Sequence, residues 1–315
     1  MTRRPARERA PVNWRRRAGL AFVLTAGCAA TPRWQDDLTA ALAAARQSQQ
    51  DLVVFFALAG RDASDRMQAS LADPAIAAAL RDGGFLAVVC DGSARAKLYE
   101  QWVSGGEGMG IAVLDGAGKV YAARPGPQDP PELAAFLDLC AASRQPLAAA
   151  RAAAASASAG PNEKHALGCL LLQLGCRVEC EALLLEAATA GVADARHRLA
   201  RLYALDGNVT QARRWLQHAP KTPEAQVTEG YVLFKERKHK EAAAVFEAAL
   251  HTGRLGADRQ RAMLYFGKAL HEDKQDERAT LVLQALSREG TGSTFEAAAL
   301  HSLGHMQSPE PGHTH

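Results

Sequence analysis

The sequence predicts an α/β domain followed by an all-α solenoid of helical repeats, behind an export signal. Three observations carry this. Asp51–Met67 (DLVVFFALAGRDASDRM) opens as an apolar, β-branched and aromatic run, breaks at Ala59-Gly60 and resumes as a helix. Such a run is a strand buried on both faces of a sheet. After Pro161, a small residue recurs twelve positions before a second small residue, four times in one phase. A basic N-terminus leads into a short apolar stretch that ends at Gly27-Cys28.

The 315 residues allow two ordinary domains, and a hydrophobic content of 48% suffices for a buried core. The net charge of +3 misleads. Seven of the 37 basic residues lie in the first seventeen positions, against one of the 34 acidic ones, which leaves 30 against 33 in the rest. No basic footprint for nucleic acid survives that subtraction.

Ala18–Ala26 is too short to span a bilayer, so residues 1–28 are expected to be an export signal. Thr25-Ala26-Gly27-Cys28 resembles the bacterial lipoprotein box, with Leu24 one place early. The resemblance implies lipidation at Cys28 and anchoring to a membrane on the periplasmic side of the cell envelope. Ala29-Ala30 carries no acidic retention mark, which in a Gram-negative cell implies the outer membrane.

Within residues 34–142, Trp34–Gln50 is expected to be a helix, with Trp34, Leu38 and Leu42 on one face. Asp73-Pro74 starts another, as N-cap and first-turn proline. Phe85–Cys90 reads as a second buried strand, Ser93–Val103 as helix and Gly105–Gly110 as a glycine loop. Ile111–Leu114 and Lys119–Ala123 flank the turn Asp115-Gly116-Ala117-Gly118, a hairpin signal. Pro130-Pro131 opens a last helix, Glu132–Ala142. This β-α-β-α-β-β-α order resembles the thioredoxin-like fold. In that fold the strand–turn–helix carries Cys-x-x-Cys. Here Arg61-Asp62-Ala63-Ser64 stands there, so Arg61 and Ser64 occupy the former redox positions. The relatives' cis-proline is replaced by Met109 or Gly110. The resemblance implies a redox fold with its redox chemistry lost. The alternative is a divergent thiol-disulfide oxidoreductase that uses Cys90 or the group Cys169, Cys176 and Cys180. Cys90 and Cys140, each on an apolar element, read as small buried hydrophobes.

Residues 143–160 (SRQPLAAARAAAASASAG) are expected to form an Ala/Ser-rich linker, helical at first and then a flexible spacer. Residues 161–306 carry the repeat. The small residues 168, 200, 230 and 267 stand twelve before 180, 212, 242 and 279. Small residues let paired helices approach closely, and Leu or Phe fills the space between repeats. The pattern resembles tetratricopeptide repeats, about four plus an end helix, Thr294–Met306, ahead of a tail at 307–315. The usual opening aromatic is replaced by Lys164, Arg196, Gln226 and Met263. A Cys169–Cys180 or Cys176–Cys180 disulfide remains open in an oxidising compartment. The cysteine spacing is not a zinc pattern, and His301 and His305 read as exposed histidines on a frayed end. No metal or other cofactor is expected.

The order of domains is similar to the bacterial thioredoxin–tetratricopeptide chaperone proteins, the chaperedoxins. It implies a non-catalytic, chaperone-like or scaffolding module that binds protein or peptide partners through its repeats. The expected binding groove is the first helix of each repeat, with His165, His197, Arg201, Tyr231, Lys235 and Lys268 facing an extended peptide. On that expectation neither Arg201 nor Lys268 sits between helices.

Overall fold

The computed structural model describes residues 34–105, 108–253, 255–256 and 258–307. The signal segment, Cys28 and the tail from 308 lie outside the described residues. A small four-stranded mixed sheet is followed by a long all-helical region. Among the described residues no helix is long and apolar enough to cross a membrane.

The sheet runs β2 (Leu86–Asp91), β1 (Leu52–Ala57), β3 (Gly110–Leu114), β4 (Val120–Pro125). β1 is parallel to β2, with Phe55 opposite Val89. It is antiparallel to β3, with Val54 opposite Ala112, and β3 is antiparallel to β4. Alternation sends β1 side chains to both faces. Leu52, Val54 and Phe56 pack with Leu38, Ala41 and Ala45 of α1 (Leu38–Ser48) and Tyr99 of α4 (Ala96–Trp102). Val53 and Phe55 pack with Ile76 and Leu80 of α3 (Pro74–Asp82) and with Leu133, Phe136 and Leu137 of α5 (Pro130–Ala155). Helices therefore cover both faces, which is why β1 is apolar along its whole length. α2 (Asp62–Ser70) follows β1 across the turn at Gly60. α1 begins at Leu38 rather than Trp34, because the Asp37 carboxylate caps it, accepting from the amides of Thr39 and Ala40.

The linker expected over 143–160 is instead mostly helix. α5 continues through Pro146 to Ala155, and tertiary contacts explain why. Arg144 donates from Nε to Asp51 Oδ2 at 2.7 Å and from Nη1 to the Gly83 carbonyl at 2.6 Å. Tyr121 donates to the same Asp51 oxygen at 2.6 Å. Leu147 is buried, and Arg151 bridges Asp115 at 2.9 Å and Glu179 at 3.3 Å. The Ala/Ser content gave the segment a linker's look, and its two arginines, Arg144 and Arg151, fasten it.

Four helix pairs follow: α6 (Pro161–Leu174) with α7 (Arg177–Thr189), α8 (Ala193–Leu205) with α9 (Val209–Leu216), α10 (Pro223–Lys235) with α11 (His239–His251), and α12 (Asp258–Glu272) with α13 (Asp276–Glu289). α14 (Thr294–Gln307) closes the series. The small residues mark the crossings. A Cβ on Gly168 would lie 3.0 Å from Leu184, on Gly230 2.8 Å from Phe246, and on Gly267 2.7 Å from Leu283. The second small residues of the four pairs, Cys180, Ala212, Ala242 and Ala279, are wholly buried, as is Ala200, the first small residue of the second pair. The five cysteines among the described residues are free thiols, with no Cys169–Cys180 or Cys176–Cys180 bridge.

The helical region docks directly on the sheet. One apolar cluster joins Val53 and Phe136 to Leu171, Cys180 and Leu199. Gly175 ends α6 at φ +78°, and a Cβ there would meet the Ala123 carbonyl at 2.2 Å, so α6 seats its end on β4. α5 touches α6 at one end of the series and α14 at the other, where His301 hydrogen-bonds Asp129. The end helix is therefore docked rather than frayed.

Candidate functional site

The strand-to-helix turn after β1 is the first candidate. Arg61 occupies the N-cap position of α2. Ser64 is 1% exposed, and its Oγ accepts from the Leu58 amide at 2.8 Å. Its hydroxyl ties down the turn. The neighbouring sulfurs offer little nucleophilicity, since the thiolate is the reactive form. Burial pushes Cys90 up to about 11, with Arg95 opposing only in part. Cys176 is likewise raised to about 11 by burial and by Glu179. Cys140 and Cys180 are raised further, again chiefly by burial.

The second candidate is a cavity of about 590 Å³ lined by residues of β4, α5, α6, α7, α8, α12 and α14. Its size falls in the range of small-ligand sites, roughly 300–1,000 Å³. Phe136, Leu264 and Tyr265 supply apolar wall, and five cations face it: Arg124, Arg177, Arg201, Arg261 and Lys268. Two acidic residues, Glu132 and Asp138, share the lining. The cations fall into two groups. Arg177 is paired with Asp206, and Arg201 and Arg261 with Asp258. Asp258 is 3% exposed and also accepts from Arg198 at 2.9 Å. Burial pushes its carboxyl up, but Arg201, Arg261 and Arg198 outweigh that and hold it far below the usual range. Neither Arg124 nor Lys268 makes a salt bridge among the described residues, although Glu132, which shares the lining, acts on Arg124 electrostatically. The Arg124 guanidinium lies 5.0 Å over the Phe136 ring, and the Lys268 ammonium 6.0 Å over the Tyr265 ring. Burial, together with the nearby Arg261, pulls Arg124 below its ordinary value. Five lining cations against two lining carboxylates give the cavity an excess of positive charge.

The expected groove divides. Arg201 and Lys268 line this cavity, but Arg201 is buried between α8 and α12 by its bond to Asp258. The expectation that it lies outside the helix packing is corrected by that ion pair. Tyr231 is 3% exposed and packed against Tyr265, 4.5 Å between centroids. Lys235 is exposed over the Tyr231 ring. His197 is fully buried. His165 faces Cys169 and Asp194 instead. Among the first helices, α5 and β4 pack against α6, and the cavity lies along α6, α8 and α12.

Arg124, Arg261, Asp258 and Tyr265 escaped the sequence reading. Repeat phase alone could have flagged Tyr265, which stands two before the small residue Gly267. The Asp258 cluster joins α8 to the first turn of α12, across sixty residues, and leaves no local spacing to read. No protein-family model and no curated protein matches the chain, so its function is read from its own residues.

Proposed function

We propose that the protein is a non-catalytic interaction module whose α/β unit is thioredoxin-like, whose helices are tetratricopeptide-type repeats, and whose inner cavity receives a carboxylate of a protein or peptide partner. The observation that carries this reading is the pair Arg124 and Lys268, cations on the cavity wall with aromatic rings beneath them and no salt bridge among the described residues. Arginine recognises a carboxylate through two parallel bonds, and the apolar wall suits the side chain next to it. The hydroxyl of Ser64 and the raised thiols support a binding role over thiol exchange. The basic, apolar and small residues ending at Cys28 support export and lipid anchoring on the periplasmic side of the envelope. The role is then to hold or protect partner proteins at a membrane.

A peptide array that presents each sequence with a free and with an amidated C-terminus tests the carboxylate. Binding should favour free acids and acidic tips, and should fall at least tenfold in a Lys268→Ala, Arg124→Gln double variant. Equal binding of acids and amides would remove the cavity from the reading. Crosslinking in intact cells then identifies the partners.

A further inference from the structure

We propose that His165, Cys169 and Asp194 form a binding site for a divalent transition-metal ion of the zinc class, with His197 holding the carboxylate from behind. The site is separate from the cavity and does not depend on the role proposed for it. His165 and Cys169 lie four residues apart on one face of α6, and Asp194 reaches them from the first turn of α8. Cys169 Sγ is 3.3 Å from His165 Nε2, and Asp194 Oδ2 is 3.1 Å from the same nitrogen. One ligand atom from each residue falls within 4.8 Å of the other two.

Convergence on a single nitrogen decides between two chemistries. A nucleophilic triad needs the sulfur on one ring nitrogen and the carboxylate on the other. Here both meet Nε2, so Asp194 does not orient the ring from behind. Zinc binds nitrogen and oxygen at ~2.0–2.2 Å and sulfur at ~2.3 Å, which sets the ligands of a tetrahedron about 3.3–3.6 Å apart. The two separations that involve His165, 3.3 and 3.1 Å, are close to those edges, and the third, between Cys169 and Asp194, lies within 4.8 Å. All three residues are partly exposed, which gives an ion a way in and leaves a fourth position to solvent.

His197 is the second, independent observation. It is 0% exposed, and neither ring nitrogen makes a hydrogen bond. Its Nδ1 stands 3.2 Å from Asp194 Oδ1, the oxygen that His165 does not use, but out of line for a bond. A buried imidazole with both nitrogens unsatisfied is costly. When Oδ2 turns onto a metal, Oδ1 comes into line with His197, the outer contact that ligating carboxylates ordinarily keep. One positive group opposes the site: Arg198 Nε lies 3.4 Å from Asp194 Oδ2, while its other end is held by Asp258. Loss of the Cys169 proton on binding supplies a second negative charge beside Asp194, which offsets the ion's two positive ones.

The test is titration of the chelator-treated full chain with Co²⁺, then Zn²⁺. One Co²⁺ per chain should bind with the sulfur-to-cobalt charge-transfer absorption of a thiolate ligand, and Zn²⁺ should displace it. Cys169→Ser should abolish the absorption, while Cys176→Ser and Cys180→Ser keep it. A variant with His301, His305, His313 and His315 all replaced by Ala should also keep it, which excludes the C-terminal histidines. His197→Gln should weaken binding about 10–100-fold, the usual effect of losing an outer partner. Circular dichroism and a melting curve without metal show whether each variant is folded. Absence of saturable Co²⁺ binding by the wild-type chain, or an absorption unchanged in folded Cys169→Ser, overturns the proposal.

Discussion

Asp258 is the residue on which the helical region depends most. It is nearly fully buried, and three arginines reach it from α8 and α12. Removing one member of such a cluster leaves charges without compensation, at a cost of about 3–5 kcal/mol. Asp258→Asn should destabilise the chain by that order in a denaturant titration. The same residue sets an acid limit. Its carboxyl is held below the ordinary value of 3.8, and Arg213 and Lys238 hold Glu236 down at about 2 despite its partial burial. Between the folded and ordinary values the unfolded chain binds the proton more readily. The stabilisation is thus complete above about pH 5 and is lost as pH falls through 4 toward 2. Asp258→Asn should flatten that limb of the stability curve, and an unchanged limb would assign it to other carboxylates.

At the scale of elements, α5 and the repeat crossings differ in how much the sequence disclosed. The crossings were legible, because a small residue facing the Leu or Phe of the next helix is a local, repeated pattern with one steric meaning. Gly230→Ala would press a methyl into the Phe246 ring at 2.8 Å and should cost about 1–3 kcal/mol. Gly304→Ala meets nothing within 4 Å and should be neutral or slightly stabilising. The second half of α5 was hidden, since alanine, serine and a proline carry no apolar periodicity. Its helicity comes from Asp51, Gly83 and Glu179, distant in sequence. Pro146 lies exposed within the helix, where it removes an amide donor. Pro146→Ala should therefore stabilise the protein, by up to ~3 kcal/mol on the helix-interior scale, read as a higher melting temperature. A lower one would mean that the proline sets a bend the docking needs.

For the molecule as a whole, the two parts read from sequence share one interior. The core that begins at Val53 passes through Phe136 into α6 and α8. A fragment of residues 34–142 loses Leu147, Arg144 and the whole α6 face. It should be aggregation-prone or unfolded when expressed alone, whereas residues 34–307 should fold; analytical gel filtration and circular dichroism separate the outcomes. A cooperative melt of the shorter fragment would show two independent domains. The cavity was illegible for the same reason that the core is continuous. Its walls come from seven elements distant in sequence, and of the expected groove residues Arg201, Tyr231 and His197 turned out to be buried in the packing while Lys268 lines the cavity and Lys235 is exposed.

The contact between His301 and Asp129 joins residues 172 apart, and both side chains are partly exposed, at 33% and 55%. Pairs of that kind contribute only about 0–1 kcal/mol. Stacked repeats, by contrast, gain stability neighbour by neighbour. The last link in such an array is the least protected and the first to open. α14 should therefore behave as a clasp, with its amides exchanging with deuterium sooner than those of α8 or α10. Thr294, Phe295 and Ala298 of α14 line the cavity, so each opening would uncover that side of it, and the rate at which the clasp lets go would set how quickly anything enters or leaves.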